Sequence, residues 1–80
     1  MQGAEYKTRK AIMTLSITVN GETKSIEAQQ SVWAFLEGLQ LDPKKVAVEL
    51  NLEIVSKSLF KDVMLENGDQ LEIVHFIGGG

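Results

Sequence analysis

Met13 to Val19 alternates apolar and polar residues and runs directly into Asn20-Gly21, which leaves this stretch few folding options. A period of two is the signature of a half-buried strand, here with Leu15, Ile17 and Val19 on one side. Asn-Gly is the preferred pair for a type I′ turn, because both central residues need positive φ. Lys24 to Ala28 then returns as the second strand of a hairpin, with Ile26 on the same apolar face. That face needs a cover, and the next segment supplies one. Ser31 is a good N-cap, and Val32, Phe35, Leu36 and Leu39 recur at the spacing of one helical stripe. Gly38 and Pro43 are expected to end this helix by Leu41. Trp33 falls off the stripe and is placed at the flank of the core.

The remainder reads as further strands. Val46 to Leu50 puts Val46, Val48 and Leu50 on one face, and Glu53-Ile54-Val55 is a short extended piece. Leu59-Phe60 is expected to form a local turn that plugs the core. Asn67-Gly68-Asp69 is a turn signal that launches a last strand from Gln70 to Ile77, with Leu71, Ile73 and Ile77 inward. The order β-β-α-β-(β)-β predicts an α+β fold, a mixed sheet of four to five strands with one helix packed across one face. The domain is expected over residues 13–77. It follows a leader (1–12) without hydrophobic period, expected to be disordered, and precedes a glycine tail (78–80).

Composition removes several classes of function. The 80 residues contain no cysteine and a single histidine, which excludes disulfides, a nucleophilic thiol and a histidine metal cluster. A net charge of −3 argues against nucleic acid, whose phosphates call for concentrated Lys and Arg. No apolar run reaches membrane-spanning length and no signal peptide is visible, so a cytoplasmic protein, monomeric when free, is expected. Asp69 is explained by its turn, and Glu49, Glu53 and Glu72 by solvated strand faces, rather than by acid–base catalysis, which needs carboxylates tuned in a cleft.

Two features remain. With one sheet face under the helix, the other should be polar, yet Val74 and Phe76 fall on it beside Ala47 and Glu49. An apolar patch on an open sheet face is a candidate docking surface. The same strand feeds Ile77 and then Gly78-Gly79-Gly80, where the lack of Cβ lets the backbone enter another protein's groove and leaves the terminal carboxylate unobstructed. Taken alone, the glycines fit a frayed end equally well. They are not a phosphate loop, since no helix follows to supply N–H donors.

Joined together, these pieces resemble the ThiS family of sulfur carrier proteins in thiamin biosynthesis. The resemblance is carried by Asn20 and Gly21, by Val32, Leu36 and Leu39, and by Val46 to Asn51 with Glu53, Ile54 and Val55. Gly68, Asp69, Leu71, Glu72, Ile73, Val74, Gly79 and Gly80 complete it. It covers residues 13–80 and implies a ubiquitin-like β-grasp fold and a carrier rather than an enzyme. An E1-like adenylating enzyme would use ATP to activate the Gly80 carboxylate, while the carrier itself binds no cofactor and no metal. Sulfur from a persulfide donor, supplied by a cysteine desulfurase, would leave a thiocarboxylate there. A thiazole synthase would then accept the tail, with Ile77, Gly78 and Gly79 in its channel. The small subunit of molybdopterin synthase shares this chemistry, and a ubiquitin-like modifier shares it up to the adenylate. An interaction module with incidental glycines is a further alternative. The short loops and the Glu-Ile-Val-x-Phe run favour the thiamin carrier.

Overall fold

Asn20 and Gly21 have φ of 50° and 85°, the paired positive values a type I′ turn demands. They join β1 (Thr14–Val19) to β2 (Glu22–Glu27) in register, Val19 opposite Glu22 and Leu15 opposite Ile26. The computed structural model describes residues 14–76. Strand β2 therefore starts two positions earlier than expected, because the tight turn needs only two residues. Ala28 adopts a φ of 72° and lies beyond its end.

Ser31 caps α1 (Val32–Gly38), its Oγ accepting from the Ala34 N–H at 3.1 Å. The helix ends before Leu41 as expected, but neither Gly38 nor Pro43 is the residue that closes it. Gly38 is an ordinary helical residue, and the left-handed position is Gln40, with φ of 64°. The Gln40 N–H donates to the Glu37 carbonyl (2.9 Å) and the Leu41 N–H to the Leu36 carbonyl (3.0 Å). This is the two-bond C-terminal closure in which glycine is the usual central residue. Leu39 becomes the C-cap and lies at the exposed rim, so the buried stripe is Val32, Phe35 and Leu36.

A 3₁₀ turn (Pro43–Lys45) leads into β3 (Val46–Leu50), which pairs antiparallel with the short β4 (Glu53–Ile54). A second 3₁₀ turn (Lys57–Leu59) brings in Phe60, fully buried, while Leu59 is 47% exposed. Phe60 alone is the plug, because the single turn can direct only one of two consecutive side chains inward. β5 (Gln70–His75) completes a five-stranded sheet in the order β2-β1-β5-β3-β4, parallel only between β1 and β5. The core lies between this sheet and α1. It comprises Ile17, Val19, Ile26, Val32, Phe35, Leu36, Val46, Val48, Phe60, Leu65 and Leu71, with Leu15, Trp33, Leu50 and Ile73 packed at its margin.

The central strand is fixed by asparagines as well as by its ladders. The Asn20 side-chain amide accepts from the Ile73 N–H (2.7 Å) and donates to the Ile73 carbonyl (3.2 Å), standing in for a strand residue where β1 has ended. Asn51 does likewise from the other flank, accepting from the Gln70 N–H (3.0 Å) and donating to Asp69 Oδ1 (3.0 Å). Asp69 Oδ2 accepts from the Glu66 N–H at 2.8 Å. The carboxylate of Asp69 is thus occupied within its turn, as expected from the sequence.

Candidate functional site

β5 sits between β1 and β3, so its side chains alternate between the helix-covered core and the open face of the sheet. Leu71 and Ile73 point to the core. Opposite them, register places Ala47 beside Val74 and Glu49 beside Glu72, and across the next pair Glu49 beside Ile54. Directly opposed residues share a face, so Ala47, Glu49, Ile54, Glu72 and Val74 form one surface. They line, with Leu52, a shallow hollow of about 400 Å³.

The apolar character of this face is stronger than the sequence indicated. Leu52 is 86% exposed, Ile54 79% and Val74 59%. Leu52 and Ile54 were not anticipated. Asn51 and Leu52 form the β3–β4 turn with φ of 51° and 72°, a place where Asn and Gly are the expected residues. A leucine there costs about 1–2 kcal/mol relative to an unstrained backbone. The available signal was the two-residue spacing between Leu50 and Glu53, which forces Ile54 opposite Glu49. Two carboxylates facing one another, Glu49 and Glu72, give the hollow an acidic margin at some cost to the free protein, since like charges across a ladder repel.

Phe76 stands apart from this hollow, past the end of β5. Its N–H donates to the Lys45 carbonyl at 2.9 Å. The Lys57 ammonium lies 4.8 Å from the centre of its ring and 5.6 Å from that of Phe60, and also donates to the Val46 carbonyl. Of the expected docking residues, Val74, Ala47 and Glu49 are therefore together and Phe76 marks a separate corner. Trp33 flanks the core as expected and carries the Lys61 ammonium 4.4 Å above its ring. Ile77, Gly78, Gly79 and Gly80 lie outside the described residues, as does the leader. Among the described residues no three His, Cys, Asp or Glu side chains are grouped to hold a metal ion, and no helix is long and apolar enough to cross a membrane.

The sequence model of the ThiS family matches residues 17–80. Over 66 residues the chain is 50% identical to a thiazole synthase of Paramagnetospirillum magneticum, a match that takes in 82% of this chain and 20% of that protein. Against thiazole synthases of this kind the chain spans about a fifth of the relative's length. It is 49% identical over 45 residues to the sulfur carrier protein ThiS of Bacillus subtilis, covering 56% of this chain and 68% of that one. The crystal structure of the thiamine biosynthesis protein ThiS from Geobacter metallireducens has the same fold, with a TM-score of 0.72 at 30% identity, over 82% of this chain and all of that one.

Proposed function

The chain belongs to the ThiS family, and from that premise we propose that it carries sulfur on its C-terminal glycine for thiazole formation in thiamin biosynthesis. The observation that supports this most is one of continuity. The family match runs through to residue 80, and β5, with exposed Val74 on its open face, is followed in the sequence by Gly78-Gly79-Gly80.

The chemistry follows from the carboxylate. Its oxygen is a poor leaving group, so an E1-like enzyme transfers AMP from ATP to Gly80 and releases pyrophosphate. A persulfide from a desulfurase attacks the unhindered carbonyl and expels AMP, forming an acyl disulfide. A thiol then reduces the S–S bond and leaves the thiocarboxylate. The acceptor is a thiazole synthase. Supporting this is the occurrence of a segment like this chain within proteins of that name, where it makes up 20% of the length. Tethering raises the effective concentration of one domain at the other, which is useful where the two must meet.

In this reading the docking face is Ala47, Glu49, Leu52, Ile54 and Val74, and the protein contributes presentation rather than catalysis. Intact-mass measurement after incubation with the activating enzyme, ATP and a sulfur source tests it. A gain equal to replacing one oxygen by sulfur is expected. Unmodified protein beside an enzyme active on another carrier would refute the proposal, and lysine-linked adducts would instead mark a conjugated modifier. Val74→Asp is expected to weaken binding to the activating enzyme at least about tenfold, as for a central interface residue. Its stability should change by no more than about 0.5 kcal/mol, as at other exposed positions. Titration calorimetry and urea unfolding measure the two effects separately, and unchanged affinity would remove this face from the interface.

A further inference from the structure

Past the end of β5, Phe76 is held by a backbone bond and by Lys57. Its ammonium donates to the carbonyl of Val46, a fully buried residue at the start of β3. It also lies near the ring of Phe60, itself fully buried. Both contacts are to parts of the molecule that cannot move without opening the core, so the ammonium is a fixed charge on an exposed corner. Phe76 is what that charge holds. Its ring centre is 4.8 Å from Lys57 Nζ, and its N–H donates to the Lys45 carbonyl at 2.9 Å. One residue further on, the chain enters 77–80.

We propose that Lys57 is a positioning residue which, by pinning the Phe76 ring, holds the corner past the end of β5 in a fixed place for an enzyme that grips it together with the open sheet face. The proposal rests on the carrier reading above. A face and a corner engage one partner together only if their relative placement is defined. Where Phe76 is not held, only a fraction of the molecules presents the corner in its competent place, and the enzyme must select that fraction. A cation over an exposed aromatic ring changes an equilibrium by a factor of about two to five. The backbone bond of Phe76 adds to this, because losing the ring contact also leaves that bond to fray.

The test compares the full chain with Lys57→Met, which keeps the stem without the charge, and Lys57→Arg, which keeps a planar cation able to stack and donate. Two quantities are read: ¹⁵N relaxation of the free protein, and KM and kcat for adenylation. In Lys57→Met the Phe76 amide is expected to fall from an order parameter near ~0.8 to below ~0.6. KM for the carrier should rise about two- to tenfold with kcat nearly constant, as expected for loss of one cation–ring contact and the ordering that depends on it. Lys57→Arg should restore both. A Phe76 amide as rigid in Lys57→Met as in the parent overturns the latch. So does a raised KM without added motion at Phe76, which would make Lys57 a direct contact of the enzyme. If the parent chain is not adenylated at all, the carrier reading fails, while the relaxation data on the free protein still decide whether Lys57 holds Phe76.

Discussion

A chain shortened by Gly79 and Gly80 is expected to fold normally and to accept no sulfur. The described core closes without these residues, since every fully buried side chain lies between Ile17 and Leu71 and the last ladder pair is Val46 with His75. Removing two glycines beyond that point should leave the urea midpoint unchanged, because neither contributes a side chain to burial. On the carrier reading proposed above, the chemistry in contrast resides on one carbonyl carbon, that of Gly80. Shortening by two residues withdraws that carbon by up to about 7 Å, at some 3.3–3.6 Å per extended residue. Misplacing a reacting atom by even about 1 Å costs on the order of a hundredfold in rate, so the expected loss is complete within the sensitivity of a mass assay. Binding through Val74 and Ile54 should persist, and the shortened chain should inhibit adenylation of the intact one. A shortened chain that still gained sulfur would place the carrier site elsewhere.

Phe60→Ala is expected to produce the largest loss of stability of any single substitution in the domain, about 3–5 kcal/mol. Phe60 is the largest of the fully buried side chains. It comes from an irregular segment between β4 and β5, so no regular element can slide in to fill the space. The Trp33 N–H donates to the Phe60 carbonyl at 2.9 Å, which ties the plug to the start of α1. That backbone bond keeps the surrounding walls in place and so preserves the cavity rather than letting it collapse. Domains of this size have total stabilities towards the lower end of about 5–15 kcal/mol. The variant should therefore be substantially unfolded at 37 °C, measurable as a loss of near-UV circular dichroism and a urea midpoint near zero. A variant destabilised by less than about 1 kcal/mol would mean the site repacks, contrary to the rigidity inferred here.

Much of this architecture was legible because its devices are local and repetitive. Period-two alternation in β1 and β3, Asn20-Gly21 and the Ser31 cap each act within a few residues, and each is found as expected. The role of Asp69 was legible for the same reason. The misreadings occur where a residue does something its type does not favour. Gln40 takes the left-handed closing position although Gly38 and Pro43 were the expected stop signals, and Leu39 becomes the C-cap at the exposed rim. Leu52 occupies a turn position suited to glycine or asparagine, so the β3–β4 turn was not counted as a tight one and Ile54 was not assigned to the open face. The Lys57–Phe76 contact joins residues with no shared periodicity, brought together only because the segment after β4 runs back along β3, Val55 donating to the Val48 carbonyl at 2.9 Å.

The placement of β5 has a consequence for how the protein is made. The strand that leads to the tail is the last of the described strands in chain order, yet it occupies the middle of the sheet, between β1 and β3. During synthesis β1, β2 and β3 emerge with a gap where their shared neighbour belongs, and contacts of such long sequence separation form late. Until β5 arrives there is no continuous open face and no partner for the side chains of Asn20 and Asn51. Completion of the open face and completion of the fold are therefore the same event. On the carrier reading proposed above, an unfinished or misfolded copy would lack part of the surface an activating enzyme needs, without any separate inspection step.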